Sequence, residues 1–133
     1  MRDHEQAMLA YALLADVSQK KQQLIGRDKF LILTGVSACR AGWPDVAHRC
    51  RDVVLDHNPA HLIGKYASFA DALRSADFEP FVKQLERFCG YERAEHFLRE
   101  LKLETEHSPT ESPQSSTGER ALEILSGPHW QSS

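Results

Sequence analysis

Two histidines, His57 and His61, lie four residues apart, the spacing that binds a metal ion when both side chains lie on one continuous helix. Pro59 lies between them, and proline disfavours helical geometry at the residue before it, so the helix is predicted to end there. The chelating geometry then fails, and we expect neither a bound metal nor a cofactor. The alternative role for His57 is at the end of a helix, where a cation complements the helix dipole.

Three cysteines could supply a nucleophile, but their pattern argues against one. They are odd in number, widely spaced and without a CxxC pair: Cys39, Cys50 and Cys89. This is the spacing neither of a disulfide framework nor of a zinc ribbon. Each falls on an apolar stripe of a predicted helix, which indicates buried, inert thiols in a reducing compartment. We therefore predict a non-enzymatic, cytoplasmic protein with no catalytic residue.

A local basic cluster could contact phosphate or nucleic acid. Its members are Arg40, His48, Arg49 and Arg51. The net charge of the 133-residue chain is −3, and the segment up to Glu104 is balanced, with 15 basic and 15 acidic residues. A nucleic-acid-binding protein usually has a basic excess, and Asp45 can pair with Arg49 on a solvated helix face. Nucleic acid is therefore an unfavoured partner, and we keep binding through Arg40, Arg49 and Arg51 as the alternative function.

The most apolar stretch, FLILTGVSACRAGW over residues 30–43, is either a strand entering a phosphate-binding turn or a buried helix. The phosphate-loop pattern GxxxxGK[ST] is absent after Gly35, which favours the helix. Gly35 inside a helix costs about 1 kcal/mol relative to alanine. That cost is reasonable if Gly35, Ala38 and Gly42 allow neighbouring elements to pack closely.

Apolar spacing along residues 1–104 predicts an all-α fold, a compact bundle of about six short helices built from αα-hairpins. We expect the first helix to end at Gly26 and the second to be capped by Asp28. Asp77 is expected to cap a helix over residues 78–89, which forms an antiparallel hairpin with the next helix. The early apolar run MLAYALLA is far shorter than the roughly 20 residues of a membrane span, so we expect no membrane partner.

One segment, residues 29–61, resembles a single tetratricopeptide repeat, a helical hairpin of about 34 residues. The matching positions are Leu31, Gly35, Gly42, Ala47 and Pro59. The segment departs from the pattern at Ala38 and Pro44, where the family usually has aromatic residues. No second unit is found at the repeat period, so the resemblance covers about a quarter of the chain.

The resemblance implies a protein-interaction role. In that family the first helix of the repeat lines the ligand groove, and the corresponding residues here are Lys29, Ile32, Val36 and Arg40. We therefore predict a module that binds an unidentified protein or peptide, and the sequence leaves a homodimer open. The predicted partner-binding residues are Lys29, Arg40, His48, Arg49 and Arg51.

Residues 105–133 differ in composition from the rest of the chain. They are rich in serine, proline and glutamate, and we expect a disordered acidic tail. A short apolar island, Ala121 to Leu125, interrupts it. A third hypothesis is therefore an intramolecular switch, in which this island docks on the helical body. Phosphorylation of Ser108 or Ser112, each followed by proline, would modulate its release.

Overall fold

The computed structural model describes residues 4–105, 117–127 and 130, and all regular structure in these ranges is helical. Six α-helices lie in the first range: α1 His4–Lys20, α2 Leu24–Ala41, α3 Pro44–His57, α4 Phe69–Leu73, α5 Glu79–Phe88 and α6 Tyr91–Thr105. A 3-10 turn, Leu62–Lys65, joins α3 to α4, and a further helix, α7, spans Thr117–Leu125. The predicted all-α bundle is confirmed. None of the described helices is long and apolar enough to cross a membrane.

Helix α2 is the centre of the bundle. Every residue from Phe30 to Ala38 is buried, so the apolar stretch forms a helix that is enclosed on all sides. Helices α1 and α3 pack along α2, and α4 and α5 also contact it. The helical interpretation of this stretch is therefore correct.

The predicted boundary between the first two helices is wrong. The chain reverses at Gln22, whose φ is 62°, so Gly26 and Asp28 both lie inside α2. Arg27, only 3% exposed, donates hydrogen bonds of 2.9 Å to Gln19 Oε1 and to Asp28 Oδ1. The bond to Gln19 ties the first turn of α2 to the end of α1. Tertiary contacts thus override the local stop signal of the glycine.

The space left by Gly35 is filled by an aromatic ring from α4. A Cβ atom at Gly35 would lie 2.8 Å from Phe69 Cε1 and closer still to Cε2 and Cζ. Phe69 is completely buried. Gly35 therefore allows the predicted close approach of a neighbouring element, and the group that approaches is the Phe69 side chain. Phe69 directly follows Ser68, the N-cap residue of α4. The Ser68 hydroxyl accepts a hydrogen bond of 3.2 Å from the Asp71 backbone N–H, which caps α4.

Helices α2 and α3 form a hairpin with a tight turn at Gly42 and Trp43. Gly42 has φ 83°, in the left-handed region, and the Trp43 N–H donates to the Ala38 carbonyl at 2.8 Å. A Cβ atom at Gly42 would have no neighbour within 4 Å. Gly42 thus serves the backbone conformation, and the expectation that it admits a close neighbour is wrong.

Helices α5 and α6 do not pack as the predicted hairpin. The contacts of α5 are mainly with α2, and those of α6 are with α1. Asp77 is not the cap of α5, since Phe78 holds that position and the Asp77 N–H donates to Ser75 Oγ at 3.3 Å. The Tyr11 hydroxyl of α1 donates to the Cys89 carbonyl at 2.8 Å and fixes the junction between the two helices.

The predicted tail divides into two parts. Residues 106–116, including Ser108 and Ser112, lie outside the described residues. The apolar island belongs to α7, which packs on α1 and α3 as part of the helical body.

Candidate functional site

Helix α7 lies in a groove between α1 and α3. Its buried residues recur at helical spacing, so one face of the helix is in the groove. They are Gly118, Ala121 and Leu125, followed by Trp130, which is 1% exposed. Glu119 and Glu123 are exposed on the opposite side. The groove thus holds a short amphipathic helix.

The rim of the groove is formed by Trp43, from the turn between α2 and α3. A Cβ atom at Gly118 would overlap Cδ2, Cε2 and Cε3 of the Trp43 indole. The indole Nε1–H donates to Glu5 Oε2 of α1 at 2.8 Å. The ring is therefore held over the start of α7, where only a residue without a side chain leaves enough space.

The other end of α7 is held by hydrogen bonds to its last carbonyl groups. Arg49 Nε–H of α3 donates to the Leu125 carbonyl at 2.9 Å. The indole Nε1–H of Trp130 donates to the Ile124 carbonyl at 2.8 Å. The last carbonyls of a helix have no partner within the helix, and a cation there complements the dipole. Arg49 is thus a contact residue of the groove.

The other two arginines of the predicted basic cluster interact elsewhere in the body. Arg40 Nη1 lies 3.1 Å from Glu86 Oε2 of α5. Arg51 Nη2–H donates to the Tyr66 carbonyl at 2.8 Å, and its buried Nε has no hydrogen-bond partner among the described residues. Arg40, Arg49 and Arg51 are thus directed at three different elements.

The remaining predicted partner-binding residues lie apart from these. Lys29 Nζ sits 4.5 Å from the centroid of the Phe88 ring, and His48 is exposed on α3. Of the five predicted residues, only Arg49 makes a described hydrogen bond to α7. Binding of a separate partner by all five stays a prediction.

The structure describes five of the seven histidines and all three cysteines. In the ranges that the structure describes, no three His, Cys, Asp or Glu side chains are grouped to hold a metal ion. His57 ends α3 with its Nδ1 3.0 Å from the Val53 carbonyl. Burial raises the pKa of Cys39, Cys50 and Cys89, which keeps these thiols protonated and weakly nucleophilic near neutral pH.

His61 predicts a pH dependence of stability. Its Nδ1 accepts a hydrogen bond of 3.0 Å from the Ile63 N–H and caps the 3-10 turn, so the neutral ring is the one that fits. Burial lowers the pKa of His61, and the nearby Asp28 partly opposes this. Since the folded pKa lies below the unfolded value of about 6.5, this stabilisation is complete above that value. It is lost as the pH falls through the folded pKa.

Urea unfolding at about pH 7.5 and about pH 5 measures the effect. We expect wild type to lose more stability between these pH values than His61→Asn, which keeps a capping acceptor and removes the titration. Equal losses in the two proteins would rule out His61 as the responsible group.

Several contact residues of the groove were absent from the predicted site. Gly118 was counted with the Ser/Pro-rich segment, and Trp130 was outside the island. Trp43 ends the apolar stretch of residues 30–43, and the sequence assigns it no contact. The available signal was the spacing of Gly118, Ala121 and Leu125, which is that of one helix face. Comparisons with family models, curated proteins and solved structures found no match to this chain.

Proposed function

We propose that this chain is a non-enzymatic protein-interaction module that binds an amphipathic helix in the groove between α1 and α3. The observation that carries the proposal is the packing of α7 in that groove, with Gly118 under Trp43 and Leu125 fully buried. Helix-in-groove binding is a common mode of peptide recognition, with anchors at helical spacing. The resemblance of α2 and α3 to a repeat of an interaction family agrees with this role.

The contacts of α7 define the partner that the groove would accept. The partner needs a glycine under Trp43, a small residue three positions later and a leucine seven positions later. Its last helical carbonyl would accept the hydrogen bond from Arg49. Positions of the partner helix that face solvent can be charged, as Glu119 and Glu123 of α7 are.

Helix α7 itself would act as the resident competitor of such a partner. A nine-residue helix is too short to be stable alone in water, so α7 folds because it docks. The tether gives α7 a high effective concentration at the groove, and an external helix must exceed this to bind. The proposal also places the protein in a reducing, cytoplasmic environment, supported by its three free cysteines.

The test uses the full chain carrying Leu125→Asp, which places a carboxylate at a fully buried position and prevents its own α7 from docking. A fluorescently labelled peptide of residues 117–133 is titrated with this variant and with wild type. We expect saturable binding to the variant, and at least about tenfold weaker binding to wild type because of competition by the tethered helix. Circular dichroism checks that the variant is folded.

Two altered peptides make the test specific. Gly118→Leu in the peptide should abolish binding because of the overlap with Trp43. Glu123→Gln at an exposed position should leave it unchanged. A peptide that bound neither chain, or bound both chains equally, would contradict the proposal.

A further inference from the structure

A second concave site lies away from the α7 groove. It is a cavity of about 520 Å³ between the second half of α1, the start of α2 and the junction of α5 with α6. Its apolar lining includes Leu14, Val17, Phe30, Phe88 and Phe97. This volume lies within the range of roughly 300–1,000 Å³ that is typical of small-molecule sites.

Three large apolar side chains are exposed among the described residues, and one of them, Phe88, lines this cavity. Phe88 is 39% exposed. Leu24 and Ile25 are 49% and 77% exposed, and they lie between two residues that line the cavity, Gln23 and Gly26. An exposed aromatic ring in an apolar concave site is a feature of ligand-binding surfaces.

Two cations, Lys21 and Arg93, line the same cavity. The Arg93 guanidinium carbon lies 5.7 Å from the centroid of the Phe97 ring, so the charge sits directly beside apolar lining. The acidic lining residue, Glu100, is 2.8 Å from His96 Nε2 and has a partner of its own. The cavity thus combines an apolar interior with a positive edge.

We propose that this cavity binds a fatty-acid-type ligand, a flexible apolar chain with one carboxylate. The chain would pack against Phe30, Phe88 and Phe97, and the carboxylate would accept hydrogen bonds from Lys21 and Arg93. The acidic segment 106–116 does not suit the cavity, because it contains no large apolar side chain. No residue of α3 or α7 lines the cavity, so this inference stands apart from helix binding in the other groove.

The probe is dansyl-labelled undecanoic acid, titrated into the full chain below its micellar concentration. Dodecanoate and dodecanol then compete for the site, and they differ in the carboxylate alone. We expect saturable binding, with dodecanoate displacing the probe at least about tenfold more effectively than dodecanol. The preference should shrink as salt is raised, because the cations lie at the open edge.

Charge reversal separates head-group recognition from simple apolar adsorption. Lys21→Glu with Arg93→Glu should weaken dodecanoate binding about tenfold or more and leave dodecanol little changed. The matched control is Lys65→Glu with Lys83→Glu, which makes the same charge change at exposed positions outside the cavity. It should leave both affinities unchanged.

Substitutions that fill the cavity test whether the apolar chain of the ligand binds there. Val17→Trp should abolish binding of both competitors, with Val17→Phe as the second variant if the tryptophan prevents folding. Absence of saturable binding, equal competition by dodecanol, or full binding to a folded cavity-filled variant would each overturn the proposal.

Discussion

Gly35→Leu should destabilise this protein by about 3 kcal/mol or more, because the new side chain overpacks the centre of the bundle. The obstacle is the Phe69 ring, which lies where the first side-chain atom would be. Phe69 is completely buried, and so is every residue of α2 from Phe30 to Ala38. Neither the ring nor the helix has free space into which it could move.

Thermal and urea unfolding measure the effect. For a chain of this length, a loss of about 3 kcal/mol corresponds to a fall in melting temperature of roughly 10 °C. Gly35→Ala should also destabilise, by less, because the clash opposes the gain in helix propensity of about 1 kcal/mol. Gly26→Ala is the matched control on α2. A Cβ atom there meets only Ser18 Oγ at 3.9 Å, so this change should be neutral or stabilising.

A double-mutant cycle assigns the clash to Phe69. In a Phe69→Leu background, Gly35→Ala should cost less than in wild type, because the flat ring above the glycine has been removed. If Gly35→Leu melted within a few degrees of wild type, the close packing of α4 on α2 would be incorrect. Equal costs of Gly35→Ala in both backgrounds would exclude Phe69 as the obstacle.

The fold followed from the sequence where periodicity was long and unambiguous. The apolar stretch of α2 and the spacing of α3 predicted a buried central helix and a hairpin partner, because burial requires apolar faces at helical spacing. The predicted helix boundaries were wrong where tertiary contacts decide at which residue a helix begins or ends. Gly26 reads locally as a helix stop, yet the buried Arg27 joins α1 to α2 across that position. Such a bond depends on two helices being adjacent, which local propensity does not encode.

The candidate groove was harder to predict than the fold. The sequence indicates that the apolar island Ala121 to Leu125 could dock on the helical body. It indicates neither the groove in which the island lies nor the role of Gly118. Gly118 acquires its role only once Trp43, from a distant turn, lies above it. The sequence predicts Arg49 as a partner-binding residue, whereas its described hydrogen bond is to the Leu125 carbonyl of the same chain. The sequence does not show where a charged side chain points. That direction decides whether the side chain hydrogen-bonds the end of a helix or contacts a phosphate.

Gly118→Leu should release α7 from the groove without unfolding the rest of the body. Its side chain would overlap the Trp43 ring, much as a side chain at Gly35 would overlap the Phe69 ring. The consequence differs because α7 packs mainly against two helices, α1 and α3, whereas α2 is buried continuously from Phe30 to Ala38. A helix at the periphery of the bundle can leave its site, whereas the central helix cannot. The loss of stability is therefore limited to the docking free energy. We expect about 3 kcal/mol, the cost typical of losing one large buried side chain.

The two tryptophans report this release without a label. Trp43 and Trp130 are the two tryptophans in the chain, and both contact α7. Release should shift their emission to longer wavelength, because Trp130 changes from 1% exposure to full exposure. It should also speed trypsin cleavage after Arg120, which lies within α7. The far-ultraviolet circular dichroism of the body should be largely retained.

Glu123→Leu is the control that separates undocking from a general effect of adding leucine to α7. Glu123 is exposed, so this variant should keep the emission spectrum and the cleavage rate of wild type. If Gly118→Leu behaved like the control, Trp43 would not restrict that position, and a glycine would no longer be required of a partner helix. If it unfolded the whole chain instead, α7 would be an integral part of the core. The groove could not then exchange its resident helix for another.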